Sequence, residues 1–202
     1  MIKHIICDVG GVILKADFDG AMDRMSKHSK FSKEEICEKM INSSLYDLFA
    51  EGKINKTEFY YQFSSHLKCF FRFEEFVEIW NSTIIDVNKP FFQFLKKLPH
   101  EYTFSILSDT DELHWPEIKK ICHEPLKLFN NFFLSYEMNS KKPDPAIFFE
   151  VMLKLKALPK ECLFIDDRKI NIETAKWLKM NAALYDMKKH NECVEEIKSI
   201  LK

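Results

Sequence analysis

IICDVGGVIL, residues 5–14, is an apolar run that ends in a single aspartate and meets two glycines almost at once. Short β-branched runs bounded by glycine read as buried central strands. Residues 2–7 are therefore the first strand, and Asp8 stands at its carboxyl end. In an open α/β sheet that end faces the ligand crevice. Gly10 and Gly11 then let the backbone come close to a ligand and turn its N–H groups towards an anion.

The runs that would complete such a sheet come much later: YTFSIL (102–107), FFLS (132–135), CLFI (162–165) and AALY (182–185). Helical patterns separate them. PAIFFEVMLKLKA (145–157) opens with proline at a helix entry, where a missing N–H costs nothing. RKINIETAKWLKM (168–180) sets Ile172, Ala175, Trp177 and Leu178 at helical spacing, and NECVEEIKSILK closes the chain. Strands alternating with helices predict right-handed crossovers and an α/β fold, a Rossmann-like, mainly parallel sheet flanked by helices.

Residues 15–86 break that alternation and contain no convincing strand. SKEE (32–35) and NKTE (55–58) are helix starts with Glu at the third helical position. TEFYYQFSSHL (57–67) lines up Phe59, Phe63 and Leu67, and FEEFVEIW (73–80) lines up Phe73, Phe76, Val77 and Trp80. Such stripes are the mark of a packed core. The expected organisation is a core of residues 1–14 and 87–202, with a helical cap, residues 15–86, inserted after the first strand.

The bulk properties fit one such unit. The 202 residues are 46% hydrophobic and 14% aromatic, enough for a sizeable core and too apolar for disorder. Thirty basic against 31 acidic residues give a net charge of -1, with no general attraction to nucleic acid or anionic membrane. No apolar run approaches the ~20 residues of a membrane helix, and the amino terminus lacks a signal-peptide pattern. The six cysteines form no C-x-x-C pair and no zinc spacing, so they read as buried reduced thiols. A cytoplasmic setting is the expectation.

Each strand is followed by a residue with chemistry. Asp8 follows the first, Ser108 and Asp109 the second, Lys142 the third after a short loop, and Asp166 and Asp167 the fourth. Brought to one sheet edge, three carboxylates can hold a hard dication such as Mg²⁺, which prefers oxygen ligands. Lys142 can balance Asp8 and a phosphate oxygen, and the Ser108 hydroxyl can bond another. Asp8 is then placed to attack phosphorus in line and form an aspartyl-phosphate, which water hydrolyses.

The ordered set DVGGV, ILSDT, KKPDP and FIDDRKIN resembles the haloacid dehalogenase (HAD) superfamily over nearly the whole chain. DVGGVIL…D, LSDTDELHW, IDDRKINIETA and AEGKINKTEFY resemble more narrowly the subgroup of bacterial α-glucose-1-phosphate phosphatases and the phosphatase domain of soluble epoxide hydrolases. The resemblance implies Asp8 as nucleophile and metal ligand, and the Gly10 carbonyl as a second ligand. It implies Ser108 as the phosphate-binding hydroxyl and Lys142 as the charge-balancing lysine, with Lys141 a solvated neighbour. Asp167 matches a direct metal ligand and Asp166 a direct or water-mediated one; Asn171 and Ala175 match the start of the next helix. Gly11 and the Asp109 N–H would contribute to the phosphate cradle.

Three positions depart from the common pattern. Most HAD phosphatases carry a second aspartate where Gly10 stands; it protonates the leaving oxygen and activates water. Such help is worth about 10²–10⁴-fold, although the resembling subgroup also has Gly there. Asp17 is the nearest substitute, with Asp19 a rival, and a helix N-cap is the competing role for Asp17. Asp109 replaces the subgroup's Asn and would repel phosphate unless it turns away or pairs with a cation. Asn139 replaces a Gly and tolerates left-handed backbone. His114 and Trp115 either reach the substrate mouth or pack against the cap.

The leading expectation is a Mg²⁺-dependent phosphatase of a small phosphorylated metabolite, a sugar phosphate by resemblance, under a cap that excludes water. Partners beyond a small phosphate ester are not indicated, and monomer and homodimer stay equally open. The alternative is a HAD-fold binding or regulatory protein of weak or no turnover, motivated by Gly10 and Asp109. Dehalogenation is disfavoured because it needs no metal-holding carboxylates.

Overall fold

In the computed structural model, which describes residues 1–202, the chain opens with β1 (His4–Cys7) and a short β2 (Leu14–Ala16). Five helices follow: α1 (Phe18–Ser26), α2 (Lys33–Ile41), α3 (Leu45–Ala50), α4 (Lys56–His66) and α5 (Phe73–Asn81). β3 (Ile84–Val87) and α6 (Lys89–Leu95) lead to β4 (Thr103–Ser108), α7 (His114–Ile121), α8 (His123–Leu126), β5 (Asn131–Leu134) and α9 (Ser135–Met138). The chain ends with α10 (Pro145–Leu155), β6 (Cys162–Asp166), α11 (Lys169–Trp177), β7 (Asn181–Leu184) and α12 (His190–Leu201).

Five strands form one parallel sheet in the order β5-β4-β1-β6-β7, with β1 at its centre. Alternation along β1 explains the position. Ile5 and Cys7 belong to one apolar cluster, with Phe91, Leu163 and Tyr185, while Ile6 joins another on the opposite face, with Ile147, Phe148 and Ala175. A strand buried on both faces reads as a continuous apolar run. Each fully buried Ile, Leu or Phe is worth about 1.5–3 kcal/mol, so a polar residue inside β1 would be expelled and Asp8 can only follow it. Cys7 is in register with Ile106 of β4 and Ile165 of β6, which brings the three strand ends to the same level.

The helices α1–α5 have a third cluster of their own. Phe59 stacks on Phe49 with centroids 4.2 Å apart and meets Trp80 edge-on at 5.0 Å. Two of these helices start as their sequences predict: Ser32 and Glu35 form a capping box on α2, and Asn55 and Glu58 form one on α4.

Two expectations need correction. Residues 15–86 are not free of strand: β2 and β3 pair antiparallel across the two ends of the helical insertion, so Lys15–Ala16 and Ile84–Asp86 are extended. Trp177 does not share the inner face of α11; it is 69% exposed, while Asn171, Ile172 and Ala175 point inward. On α5, Ile79 is buried with Phe76 and Trp80, whereas Phe73 and Val77 are half-buried. All six cysteines are free thiols. No helix is long and apolar enough to cross a membrane.

Candidate active site

The first loop is shaped by its glycines unequally. Gly11 has φ +72°, and a Cβ there would overlap the Asp167 carboxylate, so both conformation and space demand glycine. Gly10 has ordinary backbone, and a Cβ there meets nothing within 4 Å. Its carbonyl accepts no hydrogen bond from the chain; the turn is closed instead by N–H groups of Val12, Ile13 and Leu14 on the Val9 carbonyl.

Lys142 ties the strand ends together. Its buried ammonium donates to Asp8 Oδ1 at 2.7 Å, to Asp166 Oδ2 at 2.8 Å and to the Leu107 carbonyl at 3.0 Å. All three of its protons are therefore used. Burial works against that charge, but Asp8, Asp109 and Asp166 outweigh it and hold the lysine pKa above its ordinary value. Burial likewise pushes the Asp8 carboxyl up, and Lys142 opposes the shift.

Asp166 is fully buried, and every lone-pair direction is engaged. Oδ1 accepts from the Arg168 N–H at 2.8 Å, and both oxygens accept from Asn171 Nδ2 at 3.0 Å. It is built to orient Lys142. Asp167, next along the chain, is exposed and has no ion-pair partner. Oxygens of Asp8, Asp166 and Asp167 lie within 4.8 Å of one another. Asp8 and Asp167 at that spacing beside an unpartnered Gly10 carbonyl, with Asp166 behind them, are a fitting set for a hard, oxygen-seeking dication.

These residues open into a cleft of about 530 Å³ lined by Asp8, Gly10, Gly11, Asp109, Lys142 and Asp167 from the core. Phe18 and Tyr46 of the helical insertion face them. Ser108 is buried at the end of β4 and lines a smaller inner recess with Gly10, Asp109 and Thr110; its hydroxyl makes no hydrogen bond within the chain. Asp109 turns one oxygen onto the Lys142 N–H at 3.0 Å, a task an Asn oxygen would do as well. Burial pushes its carboxyl up, with Lys142 opposing.

Asp17 does not line the cleft. Its Oδ1 caps α1 by accepting from the Gly20 N–H at 2.9 Å. That geometry supports the capping role over the acid–base role. Asp19 is ion-paired to Lys33 at 2.6 Å on the surface. His114 does not line the outer cleft but borders the inner recess; it stacks on Trp80, centroids 5.2 Å apart, and bonds Asp111 Oδ2 through Nδ1 at 2.7 Å. Asn139 has the left-handed backbone its position requires, φ +52°.

Several site features escaped the sequence. Lys141 is not merely solvated; it pairs with Asp47 of α3 across the cleft rim. Asp111, wholly buried, also accepts from Trp80 Nε1 at 3.2 Å and so binds the loop after β4 to α5. Tyr46 brings an aromatic wall and a hydroxyl. Each depends on how the helical insertion sits over the sheet, which no local pattern encodes; the only written signal was the polar density of LSDTDELH.

Comparison with known proteins places this arrangement. The model of haloacid dehalogenase-like hydrolases matches residues 2–178. A D-ribitol-5-phosphate phosphatase of Bacteroides thetaiotaomicron is 28% identical over 183 residues, 88% of this chain and 89% of the relative. A HAD family enzyme of the same organism, solved with magnesium and inorganic phosphate, superposes with a TM-score of 0.83 at 27% identity, covering 94% of this chain and 96% of the other. An L-2-haloacid dehalogenase of Xanthobacter autotrophicus shares the fold, with a TM-score of 0.66 at 15% identity, covering 91% and 77%.

Proposed function

Because the chain belongs to the haloacid dehalogenase-like hydrolases, we propose that it is a Mg²⁺-dependent phosphatase of a small phosphorylated metabolite, with Asp8 as nucleophile. The observation that carries this reading is the meeting of Asp8, Lys142, Asp166 and Asp167 at one sheet edge beneath a closed-over cleft. A sugar or polyol phosphate is the favoured substrate class, supported by the relative that bears that activity in its name.

Asp8 presents its second oxygen to the cleft while Lys142 holds the first, which fixes the carboxylate for in-line attack. Ser108 and the Gly10 N–H, which makes no hydrogen bond within the chain, take the non-bridging phosphate oxygens. Asp8, Asp167 and the Gly10 carbonyl would hold the Mg²⁺, with Asp166 orienting the set from behind. When bound, the ion would neutralise charge on the transferring phosphoryl group. The α1–α5 insertion serves as the cap, and residues 15–86 are its proposed extent. Dehalogenation is not favoured, since the carboxylate trio has no task in it.

The test is release of inorganic phosphate from a panel of esters, with and without Mg²⁺, by the protein and by Asp8→Asn. Metal-dependent hydrolysis lost in the variant is expected, a fall of 10³-fold or more by analogy with other activated nucleophiles. A folded, Mg²⁺-binding protein inert even towards an activated aryl phosphate would convert the reading into that of a binding protein.

A further inference from the structure

Beside the nucleophile the site holds no free acid for the leaving oxygen; the cationic Lys15 and Arg168 line only the outer cleft, where both are exposed. Gly10 has no side chain, Asp17 caps α1, and His114, though it borders the inner recess, has both ring nitrogens engaged by Asp111, the Trp80 carbonyl and the Thr83 hydroxyl. Lys142 has every proton committed. Lys141 is paired with Asp47. One uncommitted hydroxyl remains on the cap side. Tyr46 lines both the cleft and the inner recess, and Gly10 lines both with it.

Tyr46 is held like a functional group rather than a surface residue. Its ring packs on Trp80, centroids 5.9 Å apart, within the apolar cluster of the insertion. The side chain is half-buried, yet its hydroxyl makes no hydrogen bond within the chain. A half-buried Tyr whose ring packs against a core and whose O–H has no partner in the chain is unusual, since such hydroxyls normally find one. Across the cleft, the place where a Gly10 side chain would stand is open space.

We propose, on the phosphatase reading above, that Tyr46 is the cap residue that donates a hydrogen bond to the leaving-group oxygen, in place of the acid missing at position 10. Asp8 forms the new P–O bond as the ester P–O bond breaks, and that bond's electron pair goes to the leaving oxygen. The Tyr46 O–H bonds the oxygen as its charge develops. A cleft water supplies the proton that completes the alcohol. The hydroxide it leaves attacks the aspartyl-phosphate, releasing the Asp8 carboxylate and hydrogen phosphate. Tyr46 stays protonated throughout, which agrees with burial and the surrounding carboxylates, Asp111 and Asp109 foremost, pushing its pKa well up.

The dependence on leaving group is the signature. An alkoxide leaving group needs such a donor, whereas p-nitrophenolate carries its own charge. Tyr46→Phe keeps the ring on Trp80. Purified variants would be assayed with Mg²⁺ on ribitol 5-phosphate, glycerol phosphate and p-nitrophenyl phosphate. The expected result is a kcat/KM loss at least tenfold larger for the alkyl esters than for the aryl ester, with the loss expressed in kcat. Gly10→Asp in the Tyr46→Phe background should recover alkyl-ester turnover, because an acid then occupies the open space. Equal losses on both ester types, or none on either, would overturn the inference while leaving the phosphatase reading intact. A wild-type protein inert to all three esters would instead remove the phosphatase reading, and this inference with it.

Discussion

Adjacent glycines in one loop separate structure from chemistry. Gly11 is required by its left-handed φ and by Asp167, whose carboxylate occupies the space of a Cβ. Gly11→Ala should carry about 1–3 kcal/mol of backbone strain and displace Asp167, seen as a lower midpoint in urea and weaker Mg²⁺ binding by calorimetry. Gly10 has neither constraint. Gly10→Ala should leave stability within about 1 kcal/mol of the parent, on the favourable side, through reduced freedom of the unfolded chain. A strong destabilisation of that variant in the same urea titration would mean that position 10 is held glycine for fold rather than lacking an acid. Asp109 makes a related case. Its contact with the Lys142 N–H needs only one oxygen acceptor, so Asp109→Asn should preserve the fold while removing a negative charge from the cleft. Tighter inhibition by inorganic phosphate, several-fold in Ki, is the expected readout; an unchanged Ki would show that the carboxylate is already neutralised.

The loop after β4 and the end of α5 meet through a pair that no short-range pattern announces. His114 donates to Asp111 through Nδ1 and reaches the Trp80 carbonyl and the Thr83 hydroxyl through Nε2, both at 3.0 Å. Burial works against a charged His114, but Asp111 outweighs it and raises the pKa above the usual histidine value. Asp111 is lowered: burial opposes its ionisation, and His114 more than compensates. The signs differ. The His114 contribution is complete below the unfolded-state value near ~6.5 and is lost as pH rises through the higher folded-state pKa. The Asp111 contribution is present above the ordinary carboxylate range and is lost as pH falls through its depressed value. Unfolding free energy should therefore fall as pH rises above the ordinary histidine value, and His114→Gln should abolish that slope. The substitution leaves Asp111 buried without its cation, a loss of about 3–5 kcal/mol, part of which Asp111→Asn in the same chain should restore. A slope that survives His114→Gln would assign it to another group. The same elements show where reading from sequence succeeds. Capping boxes at Ser32 and Asn55 announce themselves within four residues. β2 and β3 do not, because three- and four-residue strands have no period to read and pair only across the whole insertion. Trp177 was misplaced for a similar reason: adjacent to Leu178, it shares the spacing of an inner face but not its direction.

Across the molecule, the legible half is the sheet and what its strands end in. A parallel strand buried on both faces is mostly apolar, Ser105 inside β4 being an exception, so the polar residue at the end of each run marks the ligand edge, as Asp8, Ser108 and Asp166 do. The cap side is illegible because Asp47–Lys141 and Trp80–Asp111 join residues 94 and 31 positions apart. The Asp47–Lys141 pair is partly exposed and contributes below about 1 kcal/mol to stability. Its removal by Asp47→Ala should appear in KM rather than in the melting temperature, since it fixes the cap edge over the cleft. The carboxylate trio acts on the scale of the whole fold. Three acidic side chains from β1 and β6, within 4.8 Å and balanced by one buried lysine, repel one another in the metal-free protein. That repulsion destabilises the native state and vanishes on unfolding. A dication that binds only the folded chain reverses it, and at 100 times its Kd adds about 2.7 kcal/mol, or roughly 5–10 °C in melting temperature for a chain of this size. Asp167→Asn separates the two effects. It removes one repelling charge without disturbing the Lys142 and Asn171 contacts of Asp166. Its metal-free melting temperature should rise above the parent's, while the rise on adding Mg²⁺ should largely disappear. If Mg²⁺ stabilises parent and variant equally, the ion binds elsewhere, and the trio is not the metal site.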